Sequence, residues 1–415
     1  MNSTKVDEEP QSSARPFARL LDLPRGETTV LLHSGGRGPS WLFTHPIAEL
    51  RLEADRWPGA WDVLEEFLSR HTNKRCVGYF GYDLRDDVEA LPRTIPDDWP
   101  WPCLHLAVFD SAELCESGAV PPPPPMGPGR DLAAHTTRTD YETRVQRVVD
   151  HICAGDIFQA NLTQPFTARL DGDPRLLFWH LCHHSPAPFA AYFESGAGEA
   201  VLCSSPEEFL FVEGDFVRTR PIKGTRPRGE SPDEDRRLLA ELLASEKDQA
   251  ELAMIVDLLR NDLGKVAETG TVRVGPFPEH DSFAQVHHTF ATVTARLRSD
   301  ASLVDLLRAT FPSGSITGAP KLRTMELIEE LELVRRGVYT GAIGWIGPER
   351  NMHLNVAIRT MVCRDGKVRF NTGGGITADS VPRAEYEETL HKAAGMVRAL
   401  RTELYIPEAP PIKSR

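Results

Sequence analysis

Glu199 to Gly229 reads EAVLCSSPEEFLFVEGDFVRTRPIKGTRPRG. As far as Arg220, apolar and polar residues alternate in the pattern of a hairpin meander. Strand patterns outnumber what a βαβ alternation supplies, which predicts an α+β fold with largely antiparallel sheets. The stretch then runs into Pro221-Ile222-Lys223-Gly224-Thr225-Arg226-Pro227-Arg228-Gly229. Lys223 offers an amine nucleophile, yet with a reference pKa of about 10.4 only roughly one molecule in 10³ is neutral near pH 7. Burial, or a cationic neighbour such as Arg226 or Arg228, would lower that pKa and arm the amine. Taken alone, the same residues read first as a solvated lysine in a basic loop.

On the N-terminal side, residues 1–15 read as disordered and 16–120 as a subdomain of short strands with a helix near Trp61 to Ser69. Pro121 to Pro125 are five consecutive prolines. Such a run is stiff and cannot join a sheet interior, so 121–135 reads as a connection. Residues 136–408 then form the second part. Helices are predicted over Asp140 to Ala154, through most of Asp233 to Val266, and over Pro320 to Arg336 and Pro382 to Leu404. Strands are predicted over Phe158 to Leu170, within Thr271 to Leu297, and around Gly341 to Ile346, Asn355 to Cys363 and Val368 to Asn371.

The formal charge of −13 argues against nucleic acid as a partner and gives an anionic substrate no general attraction. Any anion must be met by local positive groups or a metal. No run of ~18 apolar residues is present, so no membrane span is expected, and the N-terminus has no signal-peptide core. Seven dispersed cysteines without C-x-x-C pairs read as reduced thiols in cytosol.

Asp248, Glu251 and Ile255 fall on one helix face, and Glu385, Glu388 and Lys392 on another. Two acidic stripes make either a sparse site of the kind Mg²⁺ prefers or a pair of solvated faces. Glu385 lies near the start of its helix, fixed by Ser380 and Pro382, where the dipole should hold it as an anion. Thr372-Gly373-Gly374-Gly375-Ile376-Thr377 reads as a Gly-rich turn whose N–H groups can approach a carboxylate. Phe311 to Lys321 is a second such turn, with Pro320 able to start the helix after it, but it lacks the order of a P-loop, which disfavours ATP. Glu207 is a surface glutamate by default and a general acid if an apolar setting raises its pKa. His288, in a strand beside His287, is structural or a hydrogen-bond donor to a reacting ring.

In order, these segments resemble the chorismate-utilising enzyme family. The matching pieces are Gly155 to Gln164, Ser205-Pro206-Glu207, Pro221 to Gly229, Ile255 to Gly264, Val286-His287-His288, Gly314 to Lys321, Tyr339 to Ala342, Asn355 to Thr360 and Gly373 to Lys392. Leu31 to Gly35 and Gly78 to Asp83 extend the match more weakly towards the N-terminus. The resemblance implies one large fold built on two largely antiparallel sheets with helices packed outside. It makes Glu251 and Glu388 ligands of Mg²⁺, with Glu385 and Asp248 as neighbouring or alternative carboxylates. Arg359, Tyr339, Lys392 and the N–H groups near Gly373 and Gly375 become the clamp for the enolpyruvyl carboxylate, while His288 and Thr225 line the ring. Ala160, where relatives commonly carry valine, reads as a packing change.

The branch that forms 4-amino-4-deoxychorismate is the nearer one. There, by resemblance, Glu207 protonates the C4 hydroxyl of chorismate, Lys223 attacks C2, and ammonia then attacks C4 and expels the lysine. Branches that aminate at C2 usually carry alanine at the position of Lys223, and those that use water carry a lysine at that of Gln159. A glutamate beside Lys223 would raise the lysine pKa, the wrong direction for a nucleophile, unless the proton passes from lysine to glutamate within the pair. The chain has no Gly-x-Cys-x-Gly-x-Gln nucleophile setting, so a separate glutaminase subunit is the expected source of ammonia. The competing readings are amination at C2 and a non-catalytic partner that only activates a glutaminase.

Overall fold

A computed structural model describes residues 15–54, 59–89, 91–115, 118–283 and 286–407. The expected α+β class with antiparallel sheets is what it contains: every pairing between named strands is antiparallel. The first sheet has ten strands, with Gln159–Arg169, Lys367–Ile376, Thr360–Arg364, Ala200–Ser205, Phe189–Glu194 and Thr29–His33 side by side at its centre. The second has nine, with Phe216–Arg220, Glu208–Glu213, Asn351–Val356, Ala342–Gly347 and Arg75–Phe80 as its middle. A third, of three strands, is formed by Ile222–Pro227, Val286–Phe290 and Glu279–Ser282.

The alternation of apolar residues decides how the two large sheets stack. Along Thr29–His33, Val30 packs with Tyr79, Phe109 and Phe193 between the sheets, while Leu31 turns outward to Phe17, Phe178 and Met396 on covering helices. Along Arg75–Phe80, Tyr79 faces the inner layer and Phe80 faces Trp61, Leu252 and Leu306 on helices of the opposite side. Period-two patterning thus gives helix, sheet, sheet, helix. Strands on both sides of the proline run enter both large sheets.

Three crossings between sheets follow from this stacking. The chain leaves the first sheet after Ser205 and enters the second at Glu208; it returns between Val356 and Thr360; and it passes from the second sheet to the third through Pro221. The first two crossings are tied together, Val356 N–H donating to Glu207 O at 3.0 Å and Ser204 N–H to Arg359 O at 3.1 Å.

The structure corrects several expectations. Gly373 to Gly375 form no turn but lie within Lys367–Ile376, paired with Thr163, Leu162 and Asn161. The expected strand Asn355 to Cys363 is two strands broken at Ala357–Arg359, because its halves belong to different sheets. The helix expected over Pro320 to Arg336 runs Lys321–Leu331 with Pro320 before its first residue; the chain turns at Glu332 so that its carboxylate can meet Arg336. The last helix is Pro382–Leu400 and stops at Arg401, whose φ is 55°. The segment 121–135 ends in a strand, Arg130–Ala134, added to Gln159–Arg169. Helix Pro174–His184 was not anticipated: seven of its residues are buried, so it shows little amphipathic period. The expectation of disorder over 1–15 falls outside the described residues except at Arg15, which begins a helix.

Arg336 fastens the site's framework. Its buried guanidinium donates twice to Glu332, to Ile316 O at 2.8 Å and to Asn161 O at 2.7 Å. Replacing it by Met strands a buried carboxylate and two carbonyls. Arg336→Met should lose about 3–5 kcal/mol in urea unfolding, and a loss below about 1 kcal/mol would contradict this assignment.

Candidate active site

Each crossing delivers one reactive side chain. Glu207 sits in the first, 5% exposed, with its amide bonded to Ser205 Oγ. Arg359 sits in the second, at φ 51°, half-buried, and no carboxylate pairs with its guanidinium among the described residues. Lys223 follows the third, on a strand whose register shifts between Lys223 and Thr225. Gly224 makes that bulge with φ 80°, and a Cβ there would lie 2.6 Å from Thr289 Oγ1, so the position excludes a side chain on both counts.

Lys223 is half-buried and donates from Nζ to Ser315 O at 3.2 Å. Burial pushes its pKa below the ordinary lysine value, although Glu251 and Glu207 pull it upward. Burial also pushes Glu207 up to about 7, against the Ser315 side chain and the Lys223 charge. Desolvation therefore outweighs the attraction anticipated from sequence and moves both groups towards their neutral forms. Arg226 and Arg228, expected as arming cations, are turned elsewhere: Arg226 pairs with Asp248 at 3.2 Å and Arg228 with Asp235 at 2.7 Å. The cation that lowers the Lys223 pKa is Lys392.

His288 is buried; its Nδ1 meets Thr225 Oγ1 at 2.8 Å, and its Nε2 has no partner among the described residues. Burial, helped by the Arg359 and Lys392 charges, lowers its pKa to about 3, so the ring is neutral near pH 7. Tyr339 is buried beside Arg336, and its hydroxyl makes no hydrogen bond among the described residues. The strand Thr360–Arg364 pairs only as far as Phe370, so Gly373 to Gly375 have one edge free of a neighbouring strand among the described residues. A Cβ on Gly375 would meet Gln159 Nε2 at 2.5 Å and Lys223 Nζ at 3.3 Å, so bare backbone is what lets these groups converge. Gly373 O accepts from Lys392 Nζ at 2.8 Å.

Glu251, Glu385 and Glu388 face one another from helices Glu246–Gly264 and Pro382–Leu400. A Cβ on Gly374 would lie 3.1 Å from Glu388 Oε1 and 3.2 Å from Glu385 Oε2, so the glycine leaves a gap against two carboxylates. Burial and the Glu388 charge raise the Glu385 pKa, against the direction expected from the helix dipole, and Ser380, which does not cap the helix, partly offsets them by donating to Glu385 Oε1 at 2.6 Å. Burial raises Glu251 too. Asp248 is held by Arg226. Among the described residues no three His, Cys, Asp or Glu enclose a metal by themselves, but Mg²⁺ completed by water and substrate oxygen needs fewer protein ligands. Glu388 pairs with Lys392 at 2.6 Å, which against burial lowers its pKa, while Glu251 and Glu385 repel one another beside the gap; such a set fits a cation.

Sequence reading missed Ser315 as the meeting point of Lys223 and Glu207, and Lys247, 3.9 Å from both Glu251 and Glu385. Ser315 lay in a recognised motif but carried no sign of its partners. A separate cavity of about 400 Å³ shares Ile222 and His288 with this site but contains neither Lys223 nor Glu207.

Residues 27–398 match the model of the chorismate binding enzymes. The chain is 44% identical over 369 residues to anthranilate synthase component 1 of Streptomyces coelicolor, covering 78% of this chain and 72% of that one. It is 38% identical over 347 residues to aminodeoxychorismate synthase component 1 of Escherichia coli, covering 78% and 76%. Anthranilate synthase component I of Streptococcus pneumoniae superimposes with a TM-score of 0.75 at 28% identity, over 96% of this chain and 95% of that one. With acid, amine and unpaired guanidinium gathered at sheet crossings, and with this similarity along nearly its whole length, the chain belongs to the chorismate-utilising enzyme family.

Proposed function

We propose that this enzyme aminates chorismate at C4, using ammonia from a separate glutaminase subunit, to give 4-amino-4-deoxychorismate. The observation that carries the reading is the meeting of a partly desolvated amine, Lys223, with a carboxyl raised to about 7, Glu207, at Ser315. The Lys223 amine forms a bond to C2, the two ring double bonds shift, the C4–O bond breaks, and the hydroxyl leaves as water with the Glu207 proton. Ammonia then attacks C4, the double bonds return, and the C2–N bond breaks. Two easier displacements replace one hard one.

Arg359 receives the enolpyruvyl carboxylate, a planar anion suited to its unpaired guanidinium, with Lys392 beside it. His288, neutral and open at Nε2, lies against the ring. Glu251 and Glu388, with Glu385 alongside, would hold Mg²⁺, which when bound neutralises the ring carboxylate of the substrate. Among the described residues no helix is long and apolar enough to cross a membrane.

Incubation with chorismate, Mg²⁺ and ammonium should give aminodeoxychorismate, detected as 4-aminobenzoate after an added lyase. Fluorescent anthranilate formed without a lyase would favour amination at C2 and overturn this reading. Lys223→Ala should lower the rate of C4 amination by at least about 10³-fold.

The reacting pair holds one proton between its members. Below about pH 7 Glu207 and Lys223 are both protonated and the amine is lost; above the lowered lysine pKa neither is, and the acid is lost. A plot of kcat/KM against pH should therefore be bell-shaped, with its acidic limb near 7. Glu207→Gln should remove that limb and slow the reaction about 10²–10⁴-fold; an unchanged profile and rate would contradict the assignment.

A further inference from the structure

Lys247 lies in the first turn of Glu246–Gly264, outside the reaction outlined above. Its ammonium stands 3.9 Å from Glu251 Oε1 on its own helix and 3.9 Å from Glu385 Oε1 on Pro382–Leu400. Its charge also reaches Glu388, easing the repulsion among all three carboxylates. One cation within 3.9 Å of a carboxylate from each of two helices takes the electrostatic position that a divalent ion would take. The side chain is 50% exposed, and its ammonium makes no other hydrogen bond or ion pair among the described residues. A flexible four-carbon stem can carry it into water without breaking anything else.

We propose that Lys247 is the built-in counter-cation of Glu251 and Glu385, and that a divalent cation binds there only by displacing it. The proposal rests on the reading of these carboxylates as a Mg²⁺ site. Exchange of one cation for another weakens metal binding in the free enzyme, while the metal-free protein avoids bare repulsion between two helices.

Calorimetric titration of MgCl₂ into full-length wild-type, Lys247→Met and Lys247→Gln proteins, without chorismate, tests this. Both neutral variants should bind Mg²⁺ about tenfold more tightly or better, and Lys247→Arg should stay within about threefold of wild type. Metal-free Lys247→Met should also melt below wild type and gain more in Tm on adding Mg²⁺. Neutral variants that bind Mg²⁺ no more tightly than a wild type that does bind it would overturn the displacement and leave the metal reading standing. If none of the proteins binds Mg²⁺, even with chorismate present, both are overturned.

Discussion

A chain that passes from one sheet to another must interrupt its hydrogen-bonded ladder, and the backbone groups freed at the break need partners. Here two such breaks face each other and supply one another, Glu207 O with Val356 N–H and Arg359 O with Ser204 N–H. The outer framework exists to hold that exchange in place. Two stacked sheets fix where the crossings occur, and Arg336 ties the turn after Ser313 and the strand bearing Gln159 to the end of a helix. Because a crossing residue belongs fully to neither sheet, its side chain enters the layer between elements, as Glu207 and Arg359 do.

That placement sets the chemistry through burial. In water an amine and a carboxylate a few ångströms apart each favour the charged form of the other. At this site loss of solvent is the larger effect on both, and it moves lysine down and glutamate up. Both shifts narrow the difference between the two groups and so lower the cost of passing a proton from one to the other, the property that the proposed covalent route requires. The protein's charge of −13 makes the local cations Lys223, Arg359, Lys392 and Lys247 the means by which any anion could approach.

Much of this was legible in sequence. The alternation over Glu199 to Arg220 gave three strands, Ala200–Ser205, Glu208–Glu213 and Phe216–Arg220, though it could not tell that the first belongs to a different sheet. Helices over Asp140 to Ala154 and most of Asp233 to Val266 were legible, but not the break that splits the latter into Pro232–Leu243 and Glu246–Gly264, the second capped by Ser245. Gly373 to Gly375 misled because local pattern reads glycine as turn, whereas here Gly374 and Gly375 make room for side chains arriving from elsewhere and Gly373 lies close against the Leu162 carbonyl of the paired strand. Glu385 misled because the helix dipole favours the anion, while burial against the rest of the fold and the charge of Glu388, one turn further along the same helix, act the other way. Arg226 and Arg228 misled for the same reason: adjacency in sequence did not decide where their guanidiniums point.

The central claim is that Lys223 bonds covalently to the substrate ring. Intact-protein and peptide mass spectrometry after acid quench during turnover, with chorismate and Mg²⁺ but limiting ammonium, tests it directly. The peptide carrying Lys223 should show an adduct of chorismate less one water, absent from Lys223→Ala. Steady turnover to aminodeoxychorismate with no such adduct, and with Lys223→Ala as active as wild type, would contradict it.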